Sequence, residues 1–123
     1  MEILDADGAA IAITAAPQGG WAPQTGYESP ALTGSLTGTS FTLKDSQSNV
    51  AVFTKAAGTT TWPLASSASA VDDTLLTFVS ETTTSGSQKL VRPKYVISPT
   101  EAVTAAQCQA NPAQQGCRVV EFV

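Results

Sequence analysis

Few residues in this chain could do chemistry, and their types exclude most mechanisms. None of the 123 residues is histidine, so Ser–His–Asp and Cys–His nucleophile arrangements are ruled out. With only two cysteines besides, no standard zinc ligand set can be assembled. Asp5-Ala6-Asp7-Gly8 has the alternate carboxylates and glycine that a hard cation uses, but the further ligands of a calcium loop are missing. A hairpin turn whose Asp side chains cap the backbone is the better reading. Asp72-Asp73 reads as a turn or strand start, because nothing places a second carboxylate partner beside it. A Lys–Asn or Lys–Asp crosslink has candidates in Lys44, Lys55 and Asn49, with Glu81 or Glu121 as catalyst, but no pairing. Trp21, Tyr27, Trp62 and Tyr95 could form a sugar-stacking platform, with Trp21 and Trp62 as the surface contacts. Filling the core of a thin sheet is the preferred role for such aromatics. The residues therefore identify no catalytic group, cofactor site or metal site, and the chain is expected not to be an enzyme.

Cys108 and Cys117 are nine positions apart, with Asn111-Pro112 and Gln115-Gly116 as turn signals between them. Those turns bring the loop ends together and favour a disulfide over two free thiols. Such a bridge stabilises by roughly 2.5–3 kcal/mol on the loop-entropy account. It also favours an extracellular compartment.

The elements that would position these groups are strands. Only 13% of residues are charged, about half the usual share, and Thr, Ser, Gly and Ala fill the remainder. That composition suits exposed β-sheet and argues against a helical bundle. The net charge of −4, with six scattered basic residues, offers no stripe to neutralise phosphates, so nucleic acid is not an expected partner. No run of 18 or more apolar residues occurs, so no membrane-spanning helix is expected, and Met1 to Asp5 lacks the features of a signal peptide.

Short apolar runs between turn clusters predict an antiparallel all-β domain of successive hairpins, shell-wall or sandwich-like, spanning residues 1–123. Strands are expected over Ala9 to Ala15, Ser40 to Lys44, Asn49 to Lys55, Thr60 to Leu64, Asp73 to Glu81, Lys89 to Ser98 and Arg118 to Val123. Asp45 to Ser48 reads as a hairpin turn. Asp73 to Glu81 is the best central strand, and Pro93 marks an edge or a bulge. Ala65 to Ala70 and Thr82 to Ser87 read as connections, the latter as the tip of a long hairpin. Near 100–107 one short helical turn is expected, with Thr100 as N-cap. A weak repeat relates 4–23 to 44–63, matching Asp5 to Asp45, Thr14 to Thr54 and Trp21 to Trp62. The chain is expected to end inside its last strand, leaving backbone groups that need a neighbour, which marks it as a fragment of something larger.

Thr39 to Lys55, Thr61-Trp62, Leu90 to Pro99 and Cys108 to Phe122 resemble the bacterial secreted RHS/YD-repeat proteins, in the segment upstream of or merging into the repeat array. The Arg92-Pro93-Lys94 segment and the Gly116-Cys117-Arg118 strand are the most specific parts. The resemblance implies a spiral β-sheet forming a hollow shell that encloses a toxin or other cargo. It departs from the family in having no full Tyr-Asp repeat, no self-cleavage region and no toxin. The expected role is a non-catalytic structural segment, secreted or at the cell surface, partnered by neighbouring strands of the full-length protein or by self-association. The alternative is a self-contained extracellular β-sandwich that binds a glycan or a cell-surface partner.

Overall fold

In the computed structural model of the chain, the structure describes residues 2–4, 10–16, 20–23, 31–71, 74–98 and 100–123. The N-terminal strands are β1 (Glu2–Leu4), β2 (Ala10–Ala15) and β3 (Trp21–Pro23), which form a three-stranded antiparallel sheet in the order 1-2-3. Seven strands make the second sheet: β4 (Ala31–Gly34), β5 (Ser40–Lys44), β6 (Val50–Thr54), β7 (Leu64–Ala68), β8 (Leu75–Ser85), β9 (Gln88–Ser98) and β10 (Arg118–Glu121). Their spatial order is their chain order, every pairing antiparallel, so the sheet is a meander without a crossover. The seven strands lie in one sheet, not in two facing ones. The one helix of the described residues is α1 (Ala105–Ala110), which touches β9.

Alternation explains the best-packed hairpin. Phe41 and Leu43 share one face of β5, and the register sets Phe41 opposite Phe53 on β6 and Leu43 opposite Leu32 on β4. Phe41, Leu32 and Ile13 of β2 are buried together, with Trp21, Leu43, Phe53 and Trp62 packed around them. This cluster joins the two sheets. The turn between β5 and β6 is held by Asp45, whose Oδ1 accepts from the backbone N–H of Gln47 and of Asn49 at 2.8 and 2.9 Å. Asn49 Nδ2 donates to Asp45 Oδ2 at 2.9 Å, and Asn49 Oδ1 accepts from the Ala70 N–H at 3.2 Å. One polar clasp thus ties this turn to the end of β7.

β8 and β9 form the long hairpin. Ser85 pairs with Gln88 across Gly86-Ser87, and Gly86 takes φ 62°, as a two-residue loop requires. Thr82 to Ser85 are strand, not tip. The register slips between Val79 and Ser80, with Tyr95 and Pro93 as their partners, so Lys94 is the extra residue of a bulge beside Pro93. β8 is an interior strand, as its two apolar faces predict.

Besides Thr82 to Ser85, and besides β1, β3 and β4, for which no strand is expected, three more segments depart from the sequence reading. The strand expected over Thr60 to Leu64 begins only at Leu64 and runs to Ala68, so Trp62 precedes β7 and part of the connection expected at Ala65 to Ala70 is strand. Small Ala and Ser side chains carry little strand propensity, and pairing to β6 and β8 decides the conformation. The helix is capped by Thr104, four residues later than expected. Its Oγ accepts from the Gln107 N–H while Gln107 Oε1 accepts from the Thr104 N–H, closing a capping box. Thr100 instead closes a turn, accepting from the Val103 N–H at 3.3 Å. The last strand stops at Glu121, although the Phe122 N–H still donates to the Lys94 carbonyl at 2.8 Å. The two segments matched by the repeat form hairpins of equal register: Leu4 faces Ala10 and Lys44 faces Val50, each residue shifted by 40 (44 − 4 and 50 − 10). Ile13 facing Pro23 corresponds likewise to Phe53 facing Leu64, shifted by 40 and 41.

Candidate functional site

Phe41 organises the aromatic residues singled out in the sequence. The Trp21 ring meets it edge-on at 5.9 Å and 70°, and Trp62 meets its other side at 5.5 Å and 71°. Both are the T-shaped contacts that ring quadrupoles favour. Gly34 stands opposite Phe41 on β4. Its φ is 130°, and a Cβ there would lie 2.6 Å from the Ser40 carbonyl oxygen and 2.7 Å from the Phe41 ring. Glycine is therefore required by both backbone and space. Trp21 Nε1 donates to the Gly34 carbonyl at 3.0 Å, which fixes the first tryptophan to the edge of the larger sheet. Trp62 differs: its Nε1 is buried without an acceptor among the described residues, and Lys55 Nζ lies 5.2 Å from the ring centroid, within cation–π range. Trp21 and Trp62 are thus half-buried walls around Phe41. Tyr95 lies apart on β9, with Lys94 Nζ 5.6 Å from its ring. Tyr27 is outside the described residues, as are Asp5, Asp7, Asp72 and Asp73.

Glu81, Arg92 and Lys94 form a cross-strand charge cluster. Glu81 on β8 accepts from Arg92 Nε at 2.6 Å and from Lys94 Nζ at 3.1 Å, both across the hairpin on β9. The Lys94 hydrogen bond, then that from Arg92, holds the Glu81 carboxyl below its ordinary range, and Glu81 in turn raises Lys94. The Asn49 side chain lowers Asp45 in the same way. The bulge is what lets Lys94 share Glu81 with Arg92, a trio that the plain register would not give and that the sequence reading missed. Asn49 is engaged with Asp45, Lys55 with Trp62 and Glu81 with Arg92 and Lys94. Lys44 pairs with Val50, next to Asn49, and no hydrogen bond among the described residues joins Lys44 or Lys55 to Asn49. Among the described residues no three His, Cys, Asp or Glu side chains are grouped as metal ligands would be.

Cys108 and Cys117 form a disulfide with Cα atoms 5.6 Å apart. Cys108 is 1% exposed, so the bridge fastens the buried side of α1 to the residue just before β10. That strand is an edge of the larger sheet and presents its own backbone there. It pairs Arg118 with Ser98, Val119 with Ile97, Val120 with Val96 and Glu121 with Tyr95. Since the Phe122 N–H bonds to Lys94, the alternation of an antiparallel ladder turns Phe122, Val120 and Arg118 inward. The N–H and C=O groups of Val119 and Glu121 then point outward, where no strand pairs among the described residues. Val120 and Phe122 are also exposed, at 59% and 45%. At the opposite end of the sheet β3 lies near β4, although no strand pairing joins the two among the described residues. No helix among the described residues is long and apolar enough to cross a membrane. Comparison with family models, curated proteins and solved structures returned no match.

Proposed function

We propose that this chain is a non-catalytic structural segment of a secreted β assembly, whose role is to carry a sheet onward. The observation that supports this reading best is the meander itself: seven strands in chain order, with β10 at one edge and its outer backbone groups unpaired among the described residues. Only Ile13, Leu32, Phe41, Ile97 and Cys108 are buried among the described residues. So thin a core suits a wall completed by neighbours better than a closed sandwich. The disulfide is compatible with an extracellular setting. The likeness of Leu90 to Pro99 and Cys108 to Phe122 to RHS-type shells gives the assembly its most specific identity, with this chain supplying wall and not cargo.

The test separates wall from binding module through the tryptophans. Trp21→Ala and Trp62→Ala are expected to lower the melting temperature, and a glycan array probed with the wild-type protein is expected to stay blank. A folded Trp variant that loses a glycan bound by the wild type would transfer the function to the alternative β-sandwich reading.

A further inference from the structure

We propose that β10 is a self-complementary edge through which two copies of this chain join across a dyad. The inference rests on the structural-segment reading and goes beyond it by naming the partner and the register. Two identical strands paired antiparallel about a two-fold axis perpendicular to the sheet must bond through the groups that face outward, here those of Val119 and Glu121. Three registers satisfy that condition near the strand centre. Centring the dyad on Glu121 sets the two Glu121 carboxylates against each other, which like charges disfavour. Centring it on Val119 leaves exposed Val120 opposite a second Arg118. Centring it on Val120 sets Val119 opposite the second copy's Glu121, so both outward pairs bond twice. It also stacks the exposed Val120 side chains on each other and lays Phe122 against the guanidinium of the second Arg118. Only this last register satisfies the backbone, buries exposed apolar surface and separates like charges.

The disulfide and helix support the edge without covering it. Cys117 immediately precedes β10, and its bridge to buried Cys108 pins the strand's start. A pinned strand loses less conformational freedom on pairing. The contact is short, so the dimer is weak and concentration-dependent.

Sedimentation velocity from about 10 μM to about 1 mM, a range that spans weak affinities, is expected to show a monomer–dimer equilibrium. Val119→Pro removes an outward N–H while leaving the β9 ladder intact, and is expected to abolish the dimer with unchanged circular dichroism. Under mild oxidation Val120→Cys is expected to crosslink at least tenfold faster than Val119→Cys or Glu121→Cys. The reason is that a dyad at Val120 makes it a non-hydrogen-bonded pair with Cα atoms about 4.5 Å apart, within disulfide reach. A monomer throughout the concentration range, equal crosslinking at the three positions, or a dimer that survives in folded Val119→Pro would overturn the proposal. Those outcomes leave the structural-segment reading standing. It fails by the glycan result, which says nothing about β10.

Discussion

The half of the molecule around Phe41 and the half formed by β8, β9, α1 and β10 hold their strands together by different means. In the first, short strands of four to six residues surround a buried apolar cluster. In the second, two eleven-residue strands reach beyond their neighbours: β7 meets β8 only at Leu75 to Thr77, and β10 meets β9 at Tyr95 to Ser98. The protruding part is tied by the β8–β9 ladder and by the Glu81 ion pairs. Covalent and polar links do there what side-chain packing does around Phe41. One meander is thus packed around an apolar cluster at one end and held by a long hairpin, ion pairs and a disulfide at the other, without any change of topology.

Breaking the aromatic half has the largest expected effect. Phe41→Ala removes a ring that is 3% exposed and touches both tryptophans, and is expected to cost about 3–5 kcal/mol in chemical denaturation. That is a large fraction of the total for a domain of this kind. Removing the disulfide with Cys108→Ser and Cys117→Ser comes next, at roughly 2.5–3 kcal/mol. Residue-resolved amide exchange is expected to place the loss in α1, β9 and β10 and to leave β5 and β6 protected.

The tryptophans sharpen the comparison within one cluster. Trp21→Phe leaves the Gly34 carbonyl without its donor and is expected to cost about 1 kcal/mol beyond the lost ring volume. Trp62→Phe removes an N–H that has no acceptor among the described residues, and the melting temperature is expected to fall less. Equal losses would show that hydrogen bonding plays no part in the difference. The smallest effect is the pH dependence of the long hairpin. Glu81 is lowered by Lys94 and Arg92, so its contribution is present above the ordinary carboxylate range and lost as pH falls through the lowered value. Lys94 is raised by Glu81, so its contribution holds below the ordinary lysine range and is lost as pH rises through the raised value. Glu81→Gln is expected to flatten the acid limb of amide-exchange protection in β8 and β9.

The two halves were also unequally legible. Ser40 to Lys44 alternates apolar and polar side chains before an Asp-led turn, so both strand and hairpin follow from local pattern. Pro93, which cannot donate to a ladder, marks an edge or a bulge, and the register beside it shows the bulge. By contrast Ala65 to Ala68 has no pattern of its own, and only its neighbours make it a strand. Thr100, following Pro99, reads as the cap, whereas the Gln three residues after Thr104 places the cap there through a bond back to the backbone. The shared engagement of Glu81 needs a register slip that composition cannot reveal.

The central claim, that β10 is an edge built to receive a strand, is tested most directly by amide exchange of β10 in the dilute protein. The account predicts alternation, with Val120 and Phe122 slow, Val119 and Glu121 fast, and the fast pair slowing as the sheet is extended by a partner. Uniform slow exchange across all four amides at the lowest concentration would contradict it, since that edge would then already be covered within a single molecule.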